Sequence, residues 1–293
     1  MTNKVENNAV SYAVVRPEHP YHRVPRSPWP FLASLGALWL TLGLVLYFHQ
    51  YNRGGTVVVG GLLYLVYVAG RWWADVLHEG DVVGYRKPGV LEYEYTSKIQ
   101  NGLYLGRIRF IVTEAMFFVG LLWAVVHAAL MPTVQVFRSW PPVGIVPIEW
   151  TGRPMLNTVI LATSFFTANA AKHALNNHNK KLCGIYLAIT IGLGRLFSYY
   201  QYLEYSDAAF TFSDSVFGST FYLSTGFHGM HVILGFLYLA VCLFQLKTMY
   251  PGRSLALDRA LLYWHFVDLV WVFIRIIVYA WSGAGATQLS FSL

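Results

Sequence analysis

Ionisable side chains lie inside long apolar stretches of this sequence, and they are the residues best placed to do chemistry. Glu114 interrupts one apolar run, and His228 and His231 lie three residues apart in another. His265 and Asp268 have the same spacing in a third run. A run of about 20 apolar residues is typical of a transmembrane helix, where charged groups are costly. We therefore expect these side chains either to transfer protons or to join helices.

Each of these groups has more than one interpretation. Residues three apart share a helix face, so His228 and His231 could bind a metal ion or form hydrogen bonds to neighbouring helices. His265 and Asp268 could form a proton pathway or a hydrogen-bond seam between helices. Glu114 is expected to be protonated or to pair with a histidine or arginine of another helix. Its position is consistent with a proton relay and with a lock between helices.

Two arginines also fall within apolar segments. Arg195 lies near the middle of one predicted span, and Arg275 lies in the outer half of the last. An arginine that faces lipid at such depth does not reach water cheaply. We expect each to contact an acidic side chain, a carbonyl-rich helix end, a lipid phosphate or another subunit.

The composition indicates an integral membrane protein. The 293 residues are 56% hydrophobic and 12% charged, with a mean hydropathy of +0.45, whereas soluble domains carry about 25% charged residues. The net charge of +7 does not require nucleic acid, because basic residues of membrane proteins gather at anionic lipid head groups. The two cysteines, Cys183 and Cys242, form neither a disulfide framework nor a paired metal motif.

Seven transmembrane helices are predicted from the apolar runs and from the prolines and glycines between them. The predicted spans are residues 29–49, 56–77, 107–131, 154–174, 182–204, 214–246 and 258–282. The predicted organisation is an N-terminal arm (1–28), helices one and two (29–77), a polar loop (78–106), helices three to seven (107–282) and a C-terminal tail (283–293).

The distribution of basic residues predicts the orientation. Sixteen of the 21 lysines and arginines fall on the side of the N-terminal arm, and three, Arg53, Arg138 and Arg153, fall on the other. Basic residues gather on the cytoplasmic or matrix side, so the N-terminus is expected there and the C-terminus on the opposite side. The first 25 residues lack the apolar core of a cleavable signal, which suits a bacterial membrane protein or one made inside an organelle.

The chain resembles subunit III of the haem–copper cytochrome c oxidases. The resemblance covers about residues 20–282 and rests on strings that occur in a fixed order: HPYHRVPRSPWP, RFIVTEAMFFVGLLWAVVHAAL, SWPPVGI, MLNT, TFSDSVFGSTFYLSTGFHGMHVILG and YWHFVDLVWVFI. It implies an all-α membrane protein of seven transmembrane helices. In that fold a two-helix unit and a five-helix bundle are separated by a lipid-filled cleft.

The resemblance also implies a function and a location. A subunit III is a non-catalytic core subunit of a proton-pumping oxidase that passes electrons from cytochrome c to O2, and it stabilises subunit I. It holds no redox centre and no metal, because haem a, haem a3 and copper belong to subunits I and II. Those subunits and accessory subunits are the expected partners. The mitochondrial inner membrane is the expected location, with a bacterial plasma membrane as the alternative.

The family's membrane carboxyl falls on Glu114. In the family this group reacts with carbodiimides and has been linked to proton uptake and to the stability of the active site. Arg195 and Arg275 are not family features, and they suggest a partner specific to this lineage.

The family's lipid-contact motif WWRDVIRE falls on WWADVLHE, residues 72–79. Ala74 and His78 replace its two arginines, and Gln245 replaces a basic residue near the end of helix six. Arg71 and Lys247 are expected to supply the missing charges. The residues expected to contact phospholipid, including cardiolipin, are therefore Arg71, Trp72, Trp73, His78, Glu79 and Lys247.

Two other functions compete with this interpretation. A proton-coupled transporter would use Glu114, His228 and Asp268 as a relay, but the two halves of the chain show no inverted repeat. The second competing function is that of a histidine-rich di-iron membrane enzyme. Its ligands would have to converge, whereas the histidines here lie at different predicted depths.

Overall fold

The computed structural model describes residues 21, 26–84, 97–247, 249 and 255–281, and the secondary structure of this part is helical. The long helices are α1 Trp29–Phe48, α2 Gly54–Gly84, α3 Ser97–Leu130, α4 Arg153–Asn176, α5 Lys180–Asp207, α6 Ser215–Phe244 and α7 Leu255–Ile274. A short 3-10 helix covers Val134–Val136, and a π-helix, Arg275–Ala280, continues α7. The predicted all-α fold with seven long helices is confirmed. The predicted tail, 283–293, and most of the predicted arm lie outside the described residues.

Six of the seven long helices are long and apolar enough to cross a membrane. The seventh, α4, is less apolar. The 24 residues of α4 extend about 36 Å, so its length is sufficient. Its lower hydropathy comes from polar side chains such as Asn157 and Ser164, both of which are fully buried. Small residues, including Ala168 and Ala171, occupy other buried positions. The polar side of α4 therefore faces neighbouring helices, as is usual at helix interfaces in membranes.

The link between α2 and α3 is shorter than the predicted loop 78–106. α2 continues to Gly84 and α3 already begins at Ser97. These helices contain 31 and 34 residues, whereas about 20 residues cross the apolar core of a bilayer. The hydropathy of a segment indicates only the part of a helix that lies in the apolar core of the bilayer. The helix itself can continue into water beyond that core.

The chain divides into two compact units, Met1–Leu105 and Gly106–Leu293. In the first unit α1 and α2 form a helical hairpin in which glycines let the backbones approach closely. A Cβ atom at Gly43 would lie 2.8 Å from the backbone nitrogen of Val58, and one at Gly61 would lie 2.8 Å from that of Leu40. A hydrogen bond from Trp29 Nε1 to Asp75 Oδ2, 2.6 Å long, joins the other end of the hairpin.

The second unit contains a closed arrangement of four helices. α5 packs against α4 and α6, and α7 packs against the same two helices. α3 contacts α6 and α7 through aromatic rings: the centroids of Phe117 and Phe227 are 5.0 Å apart, and those of Phe118 and Phe266 are 6.3 Å apart.

The side chain of Trp264 lies at the centre of this arrangement and is fully buried. Its ring occupies space left by two glycines. A Cβ atom would lie 2.7 Å from the ring at Gly194 of α5 and 2.8 Å from it at Gly235 of α6. The indole Nε1 donates a hydrogen bond to Ser164 Oγ of α4 at 3.0 Å. A single α7 side chain therefore contacts the other three helices of this arrangement, α4, α5 and α6.

The packing around Trp264 predicts opposite effects of two substitutions in α6. Gly235→Ala should destabilise the protein by about 1–3 kcal/mol, because the added methyl group would overlap the rigid indole ring. Gly229→Ala is the matched control, since a Cβ atom there would meet nothing within 4 Å. The control should be neutral or slightly stabilising, because alanine favours the helix. The apparent unfolding temperatures of the two purified variants test this, and equal temperatures would contradict the packing described.

Candidate functional site

The carboxyl group of Glu114 on α3 meets the imidazole of His231 on α6. The distance from Glu114 Oε2 to His231 Nε2 is 2.8 Å. The two side chains are 26% and 7% exposed, respectively. The imidazole ring lies close to Phe118, at 5.0 Å between ring centroids, and to Tyr263, at 6.2 Å. The partner of Glu114 is thus a histidine of another helix, which was one of the alternatives expected from the sequence.

The second nitrogen of His231 determines where the protons of this pair lie. His231 Nδ1 is 2.7 Å from the carbonyl oxygen of Phe227. A carbonyl oxygen only accepts hydrogen bonds, so Nδ1 carries a hydrogen. Nε2 then either accepts a hydrogen bond from a protonated Glu114 or, in a doubly protonated ring, donates one to its carboxylate. The pair shares one proton and is neutral overall in both states, and it becomes charged only when a proton is added or removed.

His228 is engaged separately from His231. Its Nε2 donates to the carbonyl oxygen of Val267 on α7 at 3.2 Å, and the side chain is fully buried. Phe197 and Trp271 flank the ring, with centroid distances of 5.5 and 5.1 Å. The two histidines therefore join α6 to different helices, as the hydrogen-bond interpretation of their spacing expects. Across the described residues, no group of three or more His, Cys, Asp or Glu side chains is arranged to hold a metal ion.

His265 and Asp268 lie in a seam between α7 and α4. His265 Nε2 donates to Asn169 Oδ1 at 3.3 Å, and the ring centroid is 4.4 Å from that of Phe165. Asp268 Oδ2 is 3.7 Å from His265 Nδ1, too far for a hydrogen bond. His265 and Asp268 contact each other and residues of α4, and among the described residues no contact links them to Glu114 or His228.

The residues expected to contact lipid lie on α2 and just after α6. Arg71, Trp72 and Trp73 are exposed on α2, and the two tryptophan side chains are 52% and 60% exposed. Lys247 is exposed, and its carbonyl oxygen accepts a hydrogen bond from Lys180 Nζ at 2.9 Å. His78 and Glu79 belong to α2, but their side chains lie outside the described part of the chain.

The two arginines predicted at membrane depth, Arg195 and Arg275, differ in their surroundings. The guanidinium group of Arg275 lies over the ring of Trp150, 5.6 Å from its centroid, and donates to Met155 Sδ at 2.8 Å. Arg195 is exposed on α5. In the described part of its own unit, Arg195 has no ion-pair or hydrogen-bond partner.

A second buried carboxyl group, Glu204 on α5, was missed by reasoning from the sequence. Glu204 Oε1 accepts a hydrogen bond of 2.5 Å from Tyr279 Oη and one of 3.3 Å from Gln201 Nε2. Gln201 Nε2 also contacts Tyr279 Oη at 3.3 Å. All three side chains are buried.

One sequence signal could have revealed this cluster. Gln201 and Glu204 continue the face of α5 that carries Gly194 and Phe197, at the spacings of three and four residues expected for one helix face. That face is buried. The position of Tyr279 depends on the π-helix Arg275–Ala280, which shifts the register of α7 relative to a regular α-helix.

Comparison with known proteins gives one consistent result. The sequence matches the family described as cytochrome c oxidase subunit III over residues 19–283. A relative from Prototheca wickerhamii, named cytochrome c oxidase subunit 3, is 44% identical over 269 residues, which cover 91% of this chain and 99% of the relative. Relatives of the same name from Marchantia polymorpha and Triticum aestivum are 41% and 42% identical over 271 and 267 residues. These alignments cover 92% and 90% of this chain and 99% and 97% of the relatives.

The Glu204 cluster predicts a graded response to substitution. Glu204→Leu should destabilise the protein by about 1–3 kcal/mol, because it leaves the hydroxyl group of Tyr279 and the amide of Gln201 without their acceptor. Glu204→Gln keeps an acceptor oxygen and should cost less. Glu149→Leu, which removes an exposed loop carboxylate, is the control and should stay within about 0.5 kcal/mol. Thermal unfolding of the three variants measures the order, and a Glu204→Leu protein as stable as the control would refute the assigned hydrogen bonds.

Proposed function

The chain belongs to the cytochrome c oxidase subunit III family, and from this membership we propose that it is a non-catalytic core subunit of a proton-pumping oxidase. The complex passes electrons from cytochrome c to O2. In this proposal haem a, haem a3 and copper are held by subunits I and II. This chain stabilises subunit I, binds structural phospholipid and contacts accessory subunits. The observation that carries the proposal is identity above 40% along nearly the full length of relatives that bear this name.

The contacts of the membrane-embedded groups support this role over that of a proton-coupled transporter. A relay would have to connect Glu114, His228 and Asp268. Their contacts are instead with different partners: Glu114 with His231, His228 with the carbonyl oxygen of Val267, and Asp268 with its neighbour His265. Each contact joins two helices or stays within one, and no contact among the described residues links the three groups.

We assign to the Glu114–His231 pair a proton-holding role at the edge of the oxidase. The two groups share a proton across two helices, and the carboxyl group is partly exposed. The partly exposed carboxyl group lies at the surface of its unit, where a proton donor of another subunit could contact it, whereas His228 is fully buried. The pair contacts no redox centre in this proposal, so it would affect proton uptake and the lifetime of the enzyme rather than electron transfer.

The Glu114→Gln variant tests this role. The assembled oxidase should keep its haem spectrum and largely preserve electron transfer, because the glutamine can still hydrogen bond to His231. Proton uptake, or the rate of inactivation during turnover, should change, because the amide cannot hold the exchangeable proton. Glu149→Gln, in an exposed loop, is the control.

Optical spectra, metal analysis and oxygen consumption of the purified complex provide the readouts. Loss of all oxygen reduction, with every subunit and cofactor present, would place this chain much closer to the chemistry than proposed. A complex without haem and copper would contradict the oxidase assignment itself.

We further propose that this chain binds phospholipid, including cardiolipin, at the exposed residues near the end of α2. The support is chemical. Trp72 and Trp73 present exposed indoles beside Arg71, and tryptophan with a basic residue is typical of the head-group region. Lys247 offers a second positive charge near the end of α6.

Ordered phospholipid should therefore appear in a density map of the assembled complex, with head groups near Trp72 and Trp73. Replacing both tryptophans with alanine should lower the phospholipid retained by the purified complex, because the indoles provide the largest contact surface. Trp123→Ala, which removes another exposed tryptophan, is the control for lipid counting by mass spectrometry. A map without lipid density near Trp72 and Trp73 would contradict the proposal.

The orientation proposed is an N-terminus in the mitochondrial matrix, or in the cytoplasm if the membrane is bacterial. The support is the excess of basic residues on that side. Single cysteines at Thr133 and Asn177, which lie in exposed connections on opposite sides, should then differ in labelling by an impermeant reagent. In intact membranes Thr133→Cys should react from outside and Asn177→Cys only after permeabilisation. The native Cys183 and Cys242 are buried and should give little background. The reverse pattern would invert the topology.

A further inference from the structure

The other described helices of its own unit do not pack against one face of α5. The exposed residues lie along one helix face, three or four positions apart except for the adjacent Arg195 and Leu196. We refer to them as the α5 outer stripe: Ile185, Ile189, Gly192, Arg195, Leu196 and Tyr199. The opposite face, which includes Leu187, Gly194 and Phe197, is buried against α4 and α6. The apolar members of the stripe are compatible with lipid, but Arg195 is not.

The depth of Arg195 limits what can pair with it. It stands just past the midpoint of the 28-residue helix Lys180–Asp207, about 22 Å from the first residue at 1.5 Å per residue. In a hydrocarbon core about 30 Å thick, the nearest interface is roughly 15 Å away. An extended arginine side chain does not cover that distance, so water and lipid phosphates at the membrane surface are out of reach.

A charge at this depth requires a compensating charge at the same depth. An unpaired arginine near the bilayer centre costs several kcal/mol. A carboxylate is the group that best matches a guanidinium, because it neutralises the charge and accepts its N–H donors. The described residues of the unit Gly106–Leu293 supply no such group to Arg195.

The shape of the stripe suits a second helix. Gly192 lies one turn from Arg195, and a Cβ atom at this glycine would meet nothing within 4 Å. Ala188, four residues before it, is also exposed. Small residues four apart on one face let the backbones of two membrane helices approach closely. Arg195 then lies at the edge of the closest approach, where its side chain can reach across to the partner.

We propose that the α5 outer stripe docks a transmembrane helix of another oxidase subunit, and that one aspartate or glutamate of this helix pairs with Arg195 inside the bilayer. The partner helix is otherwise apolar, and its acid lies near the middle of its span. This inference rests on the proposed function, because it requires an oxidase complex with further membrane subunits.

A density map of the purified complex, at a resolution that shows side chains, tests the pairing directly. The expected result is a carboxylate oxygen of another subunit within about 4 Å of the Arg195 guanidinium. The proposal is overturned if Arg195 faces lipid tails, binds a lipid phosphate, or pairs with an acid of this same chain.

Variants of Arg195 provide a second measurement. Arg195→Leu should lower the amount of the docked subunit that stays bound during detergent purification by about tenfold, the scale expected for a charged hydrogen bond. Arg195→Lys keeps the charge and should retain most of it. Arg138→Leu removes an exposed positive charge from the α3–α4 connection and should have no effect. Retention in Arg195→Leu equal to that of the unaltered complex would overturn the proposal. If the oxidase with Arg195→Leu does not assemble, the density map of the unaltered complex decides whether Arg195 pairs with a carboxylate of another subunit.

The optical spectrum of the same preparations separates this inference from the proposed function. A complex that holds haem and copper, with Arg195 in contact with lipid tails, would refute only the docking surface. A complex that contains this chain but lacks haem and copper would refute the proposed function, whatever group Arg195 contacts.

Discussion

The arrangement of the four helices α4 to α7 depends on the insertion of one large side chain, Trp264, among its neighbours. In a bilayer, lipid tails are as apolar as leucine, so exclusion from water does not hold helices together, and close packing and hydrogen bonds must do so. Trp264 supplies both. Its ring occupies the space left by Gly194 and Gly235, and its N–H group is bonded to Ser164 of α4. This contact explains Gly194 of α5, Gly235 of α6 and Ser164 of α4.

The same lack of water explains the polar pairs of the bundle. Hydrocarbon offers no hydrogen-bond partner, so a partner within the protein stabilises a buried polar group. His228 meets a carbonyl oxygen, and Glu204 meets a tyrosine. The Glu114–His231 pair differs from these contacts because it joins two titratable groups. Such a pair is tolerated in hydrocarbon while it carries no net charge, and it is the pair for which we propose a functional role.

The features predicted from the sequence are those that local composition controls. Long apolar runs predicted the helices, since about 20 apolar residues cross a bilayer. The same signal underestimated α2 and α3, because hydropathy does not report where a helix ends in water. The choice of His231 as the partner of Glu114 depends on the rotation of α3 against α6, which no local pattern encodes. Glu204 was missed because an acid near a helix end is ordinary, and its burial beside Tyr279 depends on a π-helix without a periodic signature.

On the surface of this chain, exposed polar residues indicate a protein interface better than exposed apolar residues do. On a soluble protein, a large exposed apolar patch indicates a binding site. Here exposed side chains such as Phe166 and Leu234 need no protein partner, because lipid tails satisfy them. A polar group on the same surface is the informative one, because lipid tails leave it without a partner. Arg195 is such a group, whereas Arg275 is occupied by Trp150 and Met155. Of the two arginines predicted at membrane depth, Arg195 is therefore the one for which we propose a partner helix of another subunit.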